Sequence, residues 1–356
     1  MKRLFVSDCE GPISKNDNAF ELAEQFIPHG GNFFSNISKY DDVLADVMHK
    51  PGYSAGSTLK LILPFFKAFG VTDHQMEEFS AQNIVLIEGS QTTLKHICGL
   101  TDAFIVSTSY EHYIRALCKA IDFPFKNTYC TRVSLDKTAI TLKEKEILCE
   151  LAKEIAGMRQ IDIPMNSSST EDLPYCDQTL LQRLDEIFWT EIPKMNVGKL
   201  IKEVTTIGGE GKAKSIRNAA KRHNANLADI LYVGDSITDV EAFKLVSESG
   251  GLAISFNGNS YAVKNAEVAV ISENNLVTAV IAELFIKLGK LETLKLINPW
   301  SIETLKGKVD PVLLKQLSSV GEPKVQIVTA ENMDSLIKES SGFRKKVRGV
   351  AIGRLG

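Results

Sequence analysis

No apolar run in the 356-residue chain approaches the ~18 residues that a membrane-spanning helix needs. The chain passes from Lys2 and Arg3 directly into a short apolar strand, without the stretch expected of a secretory signal, so a cytoplasmic protein is expected. The cysteines, Cys9, Cys98, Cys118, Cys130, Cys149 and Cys176, are scattered and none forms a CxxC pair. That pattern argues against a zinc knuckle or a disulfide frame and for free thiols in a reducing compartment. His29, His49, His74, His96, His112 and His223 also lack metal-ligand spacing. A net charge of −3 provides no field of one sign, so neither a nucleic acid nor a membrane surface is an expected partner. Arginine is missing from residue 4 to residue 114, which leaves that stretch without a guanidinium fork for a carboxylate. The late cluster Arg344, Lys345, Lys346 and Arg348 is expected to be a solvated face.

Three short apolar runs are present, each ending on a small polar or acidic residue. They are Leu4 to Val6 before Asp8, Ala103 to Val106 before Ser107, and Ile230 to Val233 before Asp235. Runs that are apolar at every position suit parallel strands buried on both faces, and open α/β sheets place their chemistry just beyond the carboxyl ends of such strands. Leu252 to Ser255 and Val268 to Ile271 predict two more strands, and helical patterns at Thr92 to Ile97, Glu111 to Ala120 and Ala213 to His223 supply crossovers. The core is therefore expected at 1–14, 86–130 and 205–285. Residues 15–85 predict a helical domain inserted after the first strand, with helices at Ala19 to Phe26, Tyr40 to Met48, Leu59 to Phe69 and Asp73 to Phe79. Residues 131–204 predict a second insertion, with helices at Lys143 to Met158 and Asp177 to Phe188 and a loop at 165–176. Residues 290–356 predict an α+β extension: a strand at Lys324 to Thr329, a helix at Met333 to Glu339 and a strand at Val347 to Ile352.

Four groups of residues then stand in order on these elements: Asp8-Cys9-Glu10-Gly11-Pro12, Ser107-Thr108-Ser109, Lys212, and Gly234-Asp235-Ser236-Ile237-Thr238-Asp239. As an ordered set they resemble the four motifs of the haloacid dehalogenase superfamily. The helical insertion between the first two motifs is similar to that of its phosphoserine phosphatase branch. The core plus the C-terminal extension also loosely resembles an archaeal group of that superfamily described as hydrogenase-associated. The resemblance implies a Rossmann-like core carrying a helical cap, and a Mg2+-dependent phosphatase acting on a small-molecule phosphate ester.

On that resemblance Asp8 would be the nucleophile and would carry an aspartyl-phosphate. Asp8, Asp235 and the backbone carbonyl of Glu10 would hold Mg2+, with Asp239 in support. Ser107 and the N–H groups after it, Thr108 included, would hold phosphoryl oxygens, helped by the positive end of the helix that follows. Lys212, or its rival Lys214, would neutralise the nucleophile and the phosphoryl group. Asp17 matches the acid that the branch uses toward its substrate. Glu10 stands where the phosphatase pattern has aspartate, the general acid and base, and is longer by one methylene. The DxEG form resembles a subgroup with phosphotransferase activity. Two alternatives therefore accompany the phosphatase: a phosphotransferase, and a noncatalytic accessory or binding protein. Nothing in the pattern specifies an oligomeric state.

Overall fold

The computed structural model describes residues 2–164 and 167–355. Met165 and Asn166, part of the loop expected at 165–176, lie outside them, as do Met1 and Gly356. After β1 (Leu4–Ser7) come α1 (Asn18–Phe26), α2 (Gly30–Asp42), α3 (Thr58–Leu61), α4 (Leu63–Ala68) and α5 (Asp73–Gln82). The chain returns through α6 (Ser90–Leu100), β2 (Ala103–Tyr110), α7 (Glu111–Ile121) and β3 (Thr128–Thr131), then leaves again as α8 (Leu142–Gly157), α9 (Tyr175–Glu186) and α10 (Lys199–Glu203). It completes the core with α11 (Glu210–Arg222), β4 (Ile230–Gly234), α12 (Val240–Glu248), β5 (Leu252–Phe256), α13 (Ser260–Asn265), β6 (Val268–Ile271) and α14 (Leu276–Leu288). The C-terminal part adds α15 (Lys290–Ile297), α16 (Ile302–Leu305), α17 (Pro311–Ser319), β7 (Lys324–Ile327) and α18 (Met333–Arg348).

The seven strands form one sheet in the order β3-β2-β1-β4-β5-β6-β7, with every neighbour parallel except β7, which runs antiparallel to β6. Helices cover both faces, which is why β1, β4, β5 and β6 are buried along their whole length and read as unbroken apolar runs. The strand order reverses between β1 and β4, and in open α/β sheets the crevice at such a reversal is where ligands bind.

Three features differ from the sequence expectations. The strand β3 was not among the expected ones; its Thr-Tyr-Cys-Thr is too short and too polar to stand out as an apolar run. The strand expected at Val347 to Ile352 is absent, because α18 continues from Met333 to Arg348 and stops at Gly349 with φ 84°. Ser340-Ser341-Gly342 looks like a helix break in sequence, yet the Ser340 hydroxyl is buried and donates to the Gly258 carbonyl at 2.6 Å, so a tertiary contact carries the helix through. Finally, the two insertions share one apolar core, with Phe33, Ile37 and Phe65 packed in the same cluster as Leu148, Ile155 and Phe188. The Asn36 side-chain amide ties α2 to the end of α8 by donating to the Ile155 and Met158 carbonyls at 2.8 and 3.0 Å.

The insertion after β1 is joined to the core through a clip. Lys15 N–H donates to the Val85 carbonyl and Ile87 N–H to the Ile13 carbonyl, so the outgoing and returning chains pair side by side. Asn16 sits at the centre: its Oδ1 accepts from Val85 N–H and the Tyr113 hydroxyl, and its amide donates to the Asn83 carbonyl and to both oxygens of Glu21 at 2.9 Å. Burial lifts the Glu21 carboxyl to about 7 against this support. The folded protein thus keeps a proton that the unfolded chain releases near pH 4.5, so stability is full below that value and falls as pH rises toward 7. Glu21→Gln removes the loss. The variant is expected to gain ~2–5 °C in Tm over the parent at pH 8 and nothing at pH 4.5, as read by differential scanning calorimetry. An equal gain at both values would show that Glu21 is not the titrating group.

Candidate active site

The carboxyl ends of β1, β2 and β4 bring the four sequence groups together. Asp8 follows β1; its N–H donates to the Val233 carbonyl at 2.8 Å, and its Oδ1 accepts from Cys9 N–H at 2.6 Å. Asp235 follows β4 and packs against Gly11, where φ is 106° and an added Cβ would lie 2.1 Å from Asp235 Oδ2. Glycine is therefore needed in the DxEG turn, both for its positive φ and for the room it leaves that carboxylate. Oxygen atoms of Asp8, Asp235 and Asp239 lie within 4.8 Å of one another, and all three residues are buried.

Lys212 enters this cluster from the first turn of α11. Its Nζ donates to Asp8 Oδ2 at 2.6 Å and to Asp239 Oδ1 at 2.7 Å, with the side chain fully buried. Lys214 is exposed, so Lys212 is the one of the two that reaches Asp8. Burial raises the Asp8 carboxyl to about 6; Lys212 opposes that rise and Asp239 adds to it. Asp239 accepts from Lys212 and the Tyr232 hydroxyl on one oxygen, and from Asp235 and Ser236 N–H on the other, at 2.6 to 3.0 Å. Asp239 thus belongs to the acidic cluster and holds Lys212 and the β4 turn in place.

Ser107 is buried in the second half of β2, where its hydroxyl donates to Ser109 Oγ and accepts from Ser109 N–H. Thr108 turns the other way, and its hydroxyl donates to the Ile207 carbonyl. Glu10 reaches toward the cap: one oxygen accepts from Asn18 N–H at 2.7 Å. Burial, then repulsion from Asp17, raises its carboxyl well above the usual range, which favours the protonated form that a general acid needs. Asp17 caps α1 through Phe20 N–H at 3.1 Å and lines the same chamber. That chamber has about 90 Å³ free between core and cap, and its walls include Glu10, Asp17, Thr58, Ser107, Thr238 and Leu355. The cap loop sits directly on the core there, since a Cβ at Gly56 would lie 2.8 Å from Thr108 Cγ2.

The expectation of a solvated basic face at the C-terminus is corrected. Lys345 and Lys346 are exposed, but Arg344 and Arg348 turn inward from α18 and both donate to Asp235 Oδ2, Arg348 at 3.1 Å. A helix packed against α13 and β6 has one face that must be buried, and residues four apart share a face. That spacing, together with the lack of arginine from 4 to 114, was the available signal. The sequence reading also passed over Tyr232, which lies in an apolar run and carries the hydroxyl that braces Asp239.

The fold and this site define an α/β protein of the haloacid dehalogenase type. A family model described as haloacid dehalogenase-like hydrolase matches residues 115–283 of this chain. Along its whole length the chain is similar to the structure of a gene product from Archaeoglobus fulgidus, at 28% identity and a TM-score of 0.79, covering 100% of this chain and 99% of that one. An apo-form phosphoserine phosphatase structure is similar over 82% of this chain and 100% of its own, at 11% identity and a TM-score of 0.41. A haloacid dehalogenase family hydrolase from Salmonella enterica is similar over 73% of this chain and 64% of its own, at 11% identity and a TM-score of 0.40. No curated protein matches the chain.

Proposed function

We propose that the protein is a Mg2+-dependent phosphomonoesterase working through an aspartyl-phosphate. The observation that carries this reading is the buried Lys212 bridge between Asp8 and Asp239, beside Asp235, at the strand reversal. A carboxylate attacks an anionic phosphoryl group only where cations offset the repulsion, and Lys212 is one such cation. The donor set suits a second. Asp8, Asp235 and the carbonyl of Glu10 are hard oxygen ligands of the kind Mg2+ takes, and when bound the ion would neutralise charge on the nucleophile and the phosphoryl oxygens. Asp8 attacks phosphorus, Ser107 and the N–H groups that follow it orient the phosphoryl oxygens, and Glu10 protonates the leaving oxygen. Glu10 then takes a proton from the water, or other acceptor, that cleaves the aspartyl-phosphate.

A noncatalytic reading is favoured by one observation, the arginine pair on Asp235. A panel of small phosphate esters with Mg2+, read as free phosphate, separates the two. Turnover of at least one ester is expected, with a ~100-fold or greater loss in EDTA and a ~10²–10⁴-fold loss in Glu10→Gln. No turnover of any ester, with Mg2+ binding seen by calorimetry, would establish the noncatalytic reading. A Glu10→Asp variant faster than the parent would show that the extra methylene had reduced activity.

A further inference from the structure

Among the described residues that line the chamber, the cations are Arg344 and Arg348, and both come from outside the region that the family model matches. Their side chains are 3% and 5% exposed. Burying a guanidinium group is costly unless its N–H groups find acceptors. Arg348 is well held: Nε donates to the Lys15 carbonyl at 3.0 Å, Nη2 to the Asn16 carbonyl and Nη1 to Asp235 Oδ2. Arg344 is not. Its Nη1 shares the same Asp235 oxygen and meets the Asp235 carbonyl at 3.3 Å, Nη2 meets the Leu355 carbonyl only at 3.5 Å, and the buried Nε has no partner among the described residues.

Two guanidinium forks therefore converge on one carboxylate oxygen with donor capacity left over. The anchoring carbonyls of Lys15 and Asn16 immediately precede Asp17, which places the pair where the chain crosses into the cap. Both arginines line the chamber that Asp8 and Glu10 also line. We propose that Arg344 and Arg348 form a subsite for a second oxyanion, so that the substrate is a phosphate ester whose alcohol carries a carboxylate or another phosphate. The inference rests on the phosphatase reading for the first oxyanion. Guanidinium forks bind either group in a bidentate manner. Were Asp235 to hold a divalent cation, both forks would need another acceptor, and an oxyanion of the ester would supply it. On the Arg348 side the subsite is preorganised by the Lys15 and Asn16 carbonyls, which lowers the cost of ordering it on binding.

The test compares kcat/KM of the full-length protein with Mg2+ on three probes: glycolate 2-phosphate, 1,3-propanediol bisphosphate and ethyl phosphate. At least one of the two acidic esters is expected to exceed ethyl phosphate ~10-fold or more, and which one does so tells carboxylate from phosphate. In Arg348→Gln that ratio is expected to collapse toward one, mainly through KM, with Arg348→Lys intermediate because it keeps the charge without the fork. A ratio near one in the parent, or a ratio unchanged in Arg348→Gln, would overturn the subsite. A second readout uses Asp8→Asn protein, where the same acidic ester is expected to raise Tm more than inorganic phosphate does, and Arg348→Gln to remove the difference. Arg-dependent stabilisation without turnover of any ester would overturn the phosphatase reading alone. Turnover without preference would overturn the subsite alone, and failure of both readouts would overturn both.

Discussion

Asp8→Asn is expected to lower phosphate release from every ester the protein accepts by ~10⁴-fold or more, because the amide cannot form the aspartyl-phosphate on which the two-step route depends. The substitution is close to isosteric, so the loss should come without unfolding. The amide oxygen can still accept from Lys212 Nζ, which lies 2.6 Å from Asp8 Oδ2, or from Cys9 N–H, which lies 2.6 Å from Oδ1. Losing the charge also removes repulsion from Asp239 and the desolvation that lifts Asp8 to about 6, which offsets part of the weakened lysine contact. Tm is therefore expected to stay within ~3 °C of the parent. Rapid quenching of the parent should trap one added phosphoryl group on the peptide that contains Asp8, and the variant should show none. Turnover that survives the substitution would remove Asp8 as nucleophile.

Those residues were legible because each stands just past an apolar run. The sheet buries both faces of β1 and β4, so the first polar residue after each run must emerge at the crevice, and sequence proximity alone brings Asp8 and Asp235 there. Lys212 and Lys214 could not be separated in that way. Residues two apart on a helix point to different faces, but which face turns inward is decided by how α11 lies on the sheet. Arg344 and Arg348 were less legible still. Their partners include the Lys15 carbonyl, 333 residues away in sequence, and nothing local to an Arg-Lys-Lys-Val-Arg run says that two of its four cations enter a buried chamber. The common core of the two insertions was hidden for the same reason: periodicity marks an apolar face without naming the face it meets.

The arginine pair also changes how the missing cap arginine is understood. Residues 4–114 supply no guanidinium group, and that absence counts against an acidic leaving group only if the cap alone must recognise it. Here α18 carries two, and Ile352 and Leu355, just beyond it, pack into the apolar core of the cap. The C-terminal segment therefore touches the sheet, the chamber and the cap at once.

The fully buried lysine carries the largest structural consequence. Lys212→Met keeps the length of the side chain but leaves Asp8 and Asp239 facing each other without their common cation. Removing one partner of a buried ion pair costs ~3–5 kcal/mol, which corresponds to a Tm lower by ~4–7 °C in a chain of this size. Activity should fall with it, since the same Nζ offsets charge on the nucleophile. The pH dependence identifies the cause. Lys212 is the main influence holding Asp8 down against burial, so without it the folded-state value should rise above about 6. A carboxyl raised above its unfolded value of 3.8 contributes stability below that pH, and the contribution is lost as pH rises through the folded value. The Tm difference between variant and parent should therefore narrow from pH 8 to pH 5, and Mg2+ should stabilise the variant more than the parent by restoring positive charge. Lys214→Met, at an exposed position, should change Tm by less than ~2 °C. A Lys212→Met protein as stable as the parent at pH 8 would show that the bridge is not holding the two carboxylates together.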